Sequence, residues 1–159
     1  MSHTTPIQSP IPVLIPFQGT TITLASVVAK VESNDNGYAL RYEPAWRVSN
    51  GSVSRIATIN ECTRDTARVL GAISWGRYQI MGSNLYDAGL TVPVGGYLND
   101  DVLQQQYFIS FLDRNDINFS IVDILDDDQK AHRFGLRYNG APGPYLVAIR
   151  DTFDRLMGR

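Results

Sequence analysis

The clearest hydrophobic pattern lies near the start of the chain. Leu24, Val27, Val28 and Val31 recur at i, i+3, i+4 and i+7, which predicts an amphipathic helix. Thr21 or Thr23 can cap its start, and Asn34-Asp35-Asn36-Gly37 ends it. Glu32 follows Val28 by four residues, so the spacing puts a carboxyl on the apolar side of the helix end. Burial of an ionised carboxyl is costly unless the group is paired or neutral.

A second helix is predicted from Leu98 to Arg114, capped by Asn99, with Asp100 and Asp101 in the first turn. Leu103, Tyr107 and Phe111 form its stripe, and Phe108 and Leu112 flank it. A third starts near Asp126–Asp128 and runs to about Tyr138, so the acidic run reads as a helix start. Residues 139–144 read as a turn, and a last helix carries Tyr145, Ile149, Phe153 and Leu156. Between residues 45 and 73 the pattern is irregular. Ser49-Asn50-Gly51-Ser52 reads as a turn cluster, and a short helix is expected around Glu61–Leu70. Tyr38, Leu40 and Tyr42 alternate, which predicts a small hairpin within Gly37–Trp46. The expected fold is mainly α, a domain over residues 20–159.

Residues 1–19 differ. Pro6, Pro10, Pro12 and Pro16 favour an extended, polyproline-like arm. An arm of this kind suits attachment to a partner protein, and a frayed terminus is the plainer reading.

Composition narrows the function. The 159 residues are 43% hydrophobic and 19% charged, enough for one buried core. A net charge of −2 lacks the basic footprint of a nucleic-acid binder. Six arginines (41, 47, 55, 64, 68 and 77) face only Glu43, Glu61 and Asp65 over residues 41–77. That asymmetry fits either a solvated face or a cationic cleft rim for a substrate bearing carboxylates. One cysteine, Cys62, and two histidines give no disulfide, no cysteine-enzyme motif and no metal-ligand spacing, so no cofactor or metal is expected. The start, MSHTTPIQSP, shows no secretion signal, and no run suggests a membrane span. Synthesis in a cytoplasm is expected.

Three short pieces carry candidate chemistry: Glu32-Ser33, Gly76-Arg77-Tyr78-Gln79 and Arg137-Tyr138-Asn139. Their order on an α-rich frame resembles the lysozyme-like superfamily, which includes goose-type lysozymes and lytic transglycosylases. Residues 24–157 resemble more closely the phage and bacterial N-acetylmuramidase family. The likeness lies in Val31-Glu32-Ser33, Tyr42-Glu43-Pro44-Ala45-Trp46-Arg47, Ser74–Gly82 and Arg137-Tyr138-Asn139-Gly140. Where that family often has Phe-Glu-Arg-His, this chain has Tyr42-Glu43-Pro44-Ala45.

The resemblance implies a lysozyme-like domain that cuts the MurNAc–GlcNAc bond of peptidoglycan, with Glu32 as the acid. A carboxyl on an apolar helix face suits that role, because desolvation keeps it protonated. Glu43 is the candidate second carboxylate, and an ion pair with Arg41 or Arg47 is the structural alternative. The resemblance further implies that Ser33, Tyr78, Gln79, Tyr138 and Asn139 serve substrate binding and the cleft wall. Two alternatives stay open: a lytic transglycosylase giving an anhydro product, and a non-catalytic phage structural protein of the same fold. A phage enzyme of this kind could be particle-borne, attached through residues 1–19, or a free lysis enzyme.

Overall fold

The computed structural model describes residues 15–17 and 20–159. Helices dominate, as the hydrophobic spacing predicts. Strand β1 (Ile15–Phe17) pairs antiparallel with β2 (Thr20–Ile22), so the end of the expected arm is a strand. The rest of the arm, and any partner contact it makes, lies outside the described residues.

Helix α1 (Leu24–Ser33) starts at Thr23, whose hydroxyl accepts from Ser26 N while Ser26 Oγ accepts from Thr23 N. Its buried face is Leu24, Val27, Val28 and Ala29. It ends in two left-handed residues, Asn34 (φ 56°) and Asp35 (φ 64°).

The alternating segment after α1 supplies one strand, not a hairpin. β3 (Leu40–Tyr42) pairs with β4 (Ile73–Trp75), which pairs with β5 (Ile80–Met81), giving a three-stranded antiparallel sheet. The alternation at Tyr38, Leu40 and Tyr42 buries none of these side chains. The partner strand comes from a segment 33 residues away, beyond the reach of a local pattern.

Between β3 and β4 stand α2 (Asn50–Ile59) and α3 (Arg64–Gly71). The Ser49–Ser52 cluster is therefore a helix start, with Ser49 accepting from Ser52 N. Gly71 lies against Val48 and Ile56, where a Cβ would not fit. Helices α4 (Gly82–Asp87) and α5 (Val94–Leu98) follow β5. Helix α6 (Asp101–Arg114) is capped by Asp100, which accepts from Leu103 N, whereas Asn99 closes α5. The C-terminal part is α7 (Ile121–Asp126), α8 (Asp128–Tyr138) and α9 (Pro142–Leu156). The expected acidic helix start is real: Asp127 accepts from Gln129 N and Lys130 N. Helix α9 begins at Pro142, inside the expected turn, since proline suits a first helical position.

One hydrophobic cluster runs from Ile22 to Phe153, joining α1, α6, α8 and α9. Helix α9 packs on both α8 and α1. Gln104 sits fully buried beside this core, in the first turn of α6. Its Oε1 accepts from Arg77 N at 2.9 Å, and its Nε2 donates to Gly37 O and Leu98 O. That side chain ties the end of α1 and the β4–β5 turn to α6. No helix among the described residues is long and apolar enough to cross a membrane.

Candidate active site

A cleft of about 790 Å³ opens beside the sheet. One side is formed by Arg41 and Glu43 of the β3 region, Trp46, and Met81 and Asn84 at the start of α4. The other is formed by Tyr107, Phe111 and Arg114 of α6, and by Arg137, Tyr138 and Asn139 at the end of α8. Glu32 lines the cleft from the last turn of α1.

The carboxyl of Glu32 is half-buried, because its helix face is the one that meets the core. Burial raises its pKa from the ordinary 4.5, and Tyr145 and Arg41 oppose that rise in part. Tyr145 Oη is buried and makes no hydrogen bond of ordinary geometry. It nonetheless lies near enough to Glu32 to favour the carboxylate form. Tyr138 is the other phenol that feels the Glu32 charge, and burial pushes its own pKa well above the usual range.

Glu43 faces the same cleft. Its Oε1 accepts from Arg41 Nε at 2.5 Å, and both groups are partly exposed. The structure thus brings Glu32 and Glu43 to one cavity and also gives Glu43 the ion-pair partner anticipated from the sequence.

Ser33 and Tyr78 do not line the cleft. Ser33 Oγ donates to Arg77 O at 2.9 Å and accepts from Asn36 N, fastening the helix end to the β4–β5 turn. Tyr78 is 5% exposed and stacks on Phe108 with ring centroids 4.3 Å apart. Gln79 lines the cleft, but its amide is engaged inside the protein. Nε2 donates to Gly76 O (2.9 Å) and Ala39 O (3.1 Å), and Oε1 accepts from Ser74 Oγ (2.8 Å). These bonds hold Gln79 in a left-handed conformation (φ 48°). Tyr138 lies at the centre of an aromatic cluster with Phe108, Phe111, Phe134 and Tyr145. Asn139 caps α8 and is exposed on the cleft.

Of the two readings of the arginine-rich segment, the solvated face fits better than the cleft rim. Of the six arginines between 41 and 77, only Arg41 lines the cleft. Arg55 pairs with Asp87, Arg68 with Asp65, and Arg77 with Asp35 and Asp101. The cleft's other two arginines, Arg114 and Arg137, come from the C-terminal half.

Sequence reasoning passed over Gln104, Trp46, Arg114 and Tyr145. Gln104 had a signal: it precedes Phe108 by four on the buried stripe. Trp46 lies inside a quoted motif and donates from Nε1 to Ser83 Oγ at 2.9 Å. Tyr145 matched a core stripe, and nothing in its spacing shows that α9 crosses α1 beside Glu32. Among the described residues, no group of three or more His, Cys, Asp or Glu side chains could hold a metal ion.

Over 129 residues the chain is 34% identical to the endolysin of Enterobacteria phage PRD1, spanning 75% of this chain and 87% of that protein. No family model matches, and no solved structure matches.

Proposed function

The chain belongs to the phage endolysin family, and from that premise we propose that it cleaves the glycan strands of peptidoglycan at the MurNAc–GlcNAc bond, with Glu32 as general acid. The domain is on this reading lysozyme-like. The observation that carries the proposal is the Glu32 carboxyl, half-buried and raised in pKa by that burial, lining a cleft of about 790 Å³. Glycoside cleavage requires a proton donor at the leaving oxygen, and a desolvated glutamic acid keeps its proton at pH values where an exposed one has lost it.

In the proposed reaction Glu32 protonates the glycosidic oxygen and the C–O bond breaks, leaving positive character on the muramic ring. Glu43, kept close to Arg41, faces the cleft as the second carboxylate. It either draws a proton from an attacking water or stabilises the ring charge. Gln79 and Ser33 hold the cleft wall and the helix end through bonds within the protein. Tyr138 and Asn139 form the wall beside the scissile bond, and Tyr78, stacked on Phe108, accepts the Tyr138 hydroxyl at its backbone carbonyl. Exposed Arg114 offers a cation to the carboxylates of the peptide stems that peptidoglycan carries and chitin lacks.

The ion pair of Glu43 with Arg41 favours one second reading. If Glu43 is only structural, the Glu32 carboxylate recovers a proton from the muramic 6-hydroxyl, whose oxygen closes on C1. That is lytic transglycosylation. The deciding experiment digests purified peptidoglycan with the wild type and with Glu43→Gln, and identifies the new ends by mass spectrometry. Reducing muramic ends, lost in Glu43→Gln, support hydrolysis with Glu43 as base. Anhydro-muramic ends from both proteins support transglycosylation. Products with intact glycan strands would exclude both. Carriage on the phage particle through residues 1–19 is a further part of the proposal, tested by whether the protein co-purifies with particles.

A further inference from the structure

We propose that Tyr145 is a positioning residue for the proton donor: its hydroxyl holds one oxygen of the Glu32 carboxyl, so that the other faces the cleft. This rests on the reading of Glu32 as the acid.

The ring of Tyr145 needs no hydroxyl to pack. It stacks on Tyr138 with centroids 5.9 Å apart, and lies 5.9 Å from Phe134. Phenylalanine would fill that space equally well and would leave no polar atom behind. The hydroxyl is instead buried and unpartnered, a costly arrangement for a group without another use. Helix α9, which carries Tyr145, packs on α1, which carries Glu32. The groups that act on the Glu32 carboxyl come from three elements: Arg41 of β3, Tyr138 of α8 and Tyr145 of α9. Arg41 is engaged by Glu43 and Tyr138 donates to Tyr78 O, so Tyr145 is the one of the three whose donor is uncommitted.

The proton balance follows. While Glu32 is protonated, its O–H points to the glycosidic oxygen and its carbonyl oxygen accepts from Tyr145 Oη. As the proton leaves, negative charge spreads to that same oxygen and the Tyr145 bond strengthens. Tyr145 keeps its own proton throughout, because burial holds its phenol well above the ordinary range.

The test is Tyr145→Phe, which keeps the ring. The Glu32 carboxyl is titrated by carbon NMR in the wild type and the variant, its resonance assigned by its loss in Glu32→Gln. The midpoint is expected to move to higher pH, because the bond that favours the carboxylate is gone. On peptidoglycan, kcat is expected to fall about tenfold with KM little changed. An unchanged or lowered midpoint would overturn the proposal. The titration is read without substrate, so it decides the Tyr145–Glu32 contact even if the wild type cleaves no glycan; that failure would count against the proposed function instead.

Discussion

Tyr138 donates its hydroxyl to the backbone carbonyl of Tyr78 at 2.7 Å, joining the end of α8 to the β4–β5 turn. The two sides of the cleft meet at this bond, because the turn leads into Gln79 and Ile80 and α8 ends in Tyr138 and Asn139. Tyr138 is therefore a cleft residue and a fastener of the cleft at once.

Tyr138→Phe removes that fastener and leaves the aromatic packing in place. We expect a loss of about 1–2 kcal/mol in unfolding free energy, from one hydrogen bond and the carbonyl it leaves unpaired. Urea denaturation measures it. Activity should fall alongside, since the wall beside Glu32 loosens.

Gly76→Ala should damage the same region more. Gly76 has φ +72°, and a Cβ there would collide with the amide of Gln104. Gln104 cannot move without abandoning Arg77 N and Gly37 O. A cost of about 3 kcal/mol is expected, which lowers Tm by about 10 °C in a domain of this size. A thermal unfolding scan reads it.

How much of this could be read from the chain depends on the range of each interaction. Helix α1 and the position of Glu32 on it follow from spacing within eight residues, so they are legible. The three-stranded sheet is not, because Leu40–Tyr42 finds its partner at Ile73–Trp75 and the alternation of Tyr38, Leu40 and Tyr42 marks no buried face. Helix α2 is hidden because Asn50 and Gly51 are poor interior helix residues, and its stability comes from Val53 and Ile56 packing into the core. In the site, motif residues were found by type, but their hydrogen bonds were not. Ser33 and Gln79 look alike as polar motif members, and only the fold shows that their polar atoms are spent on Arg77 O, Ala39 O, Gly76 O and Ser74. Tyr145 next to Glu32 depends on a helix crossing, which no local pattern encodes.

The raised pKa of Glu32 makes two linked pH predictions. The folded protein holds this proton more tightly than the unfolded chain does. Below the ordinary carboxyl range both states are protonated and Glu32 contributes no difference. As pH rises from the unfolded value of 4.5 through the raised folded value, stability declines, because the folded state must then ionise a half-buried group. Glu32→Gln should remove that part of the decline and be at least as stable as the wild type at neutral pH. Chemical denaturation of both proteins across pH checks this. Activity should fall over the same window in which the acid loses its proton.

The most direct test of the account compares wild type and Glu32→Gln on purified peptidoglycan, with the fold of each checked by circular dichroism. The account predicts new muramic ends from the wild type and a loss of at least about a hundredfold in Glu32→Gln, the usual scale for removing a general acid. A folded Glu32→Gln that digests peptidoglycan at the wild-type rate would contradict it.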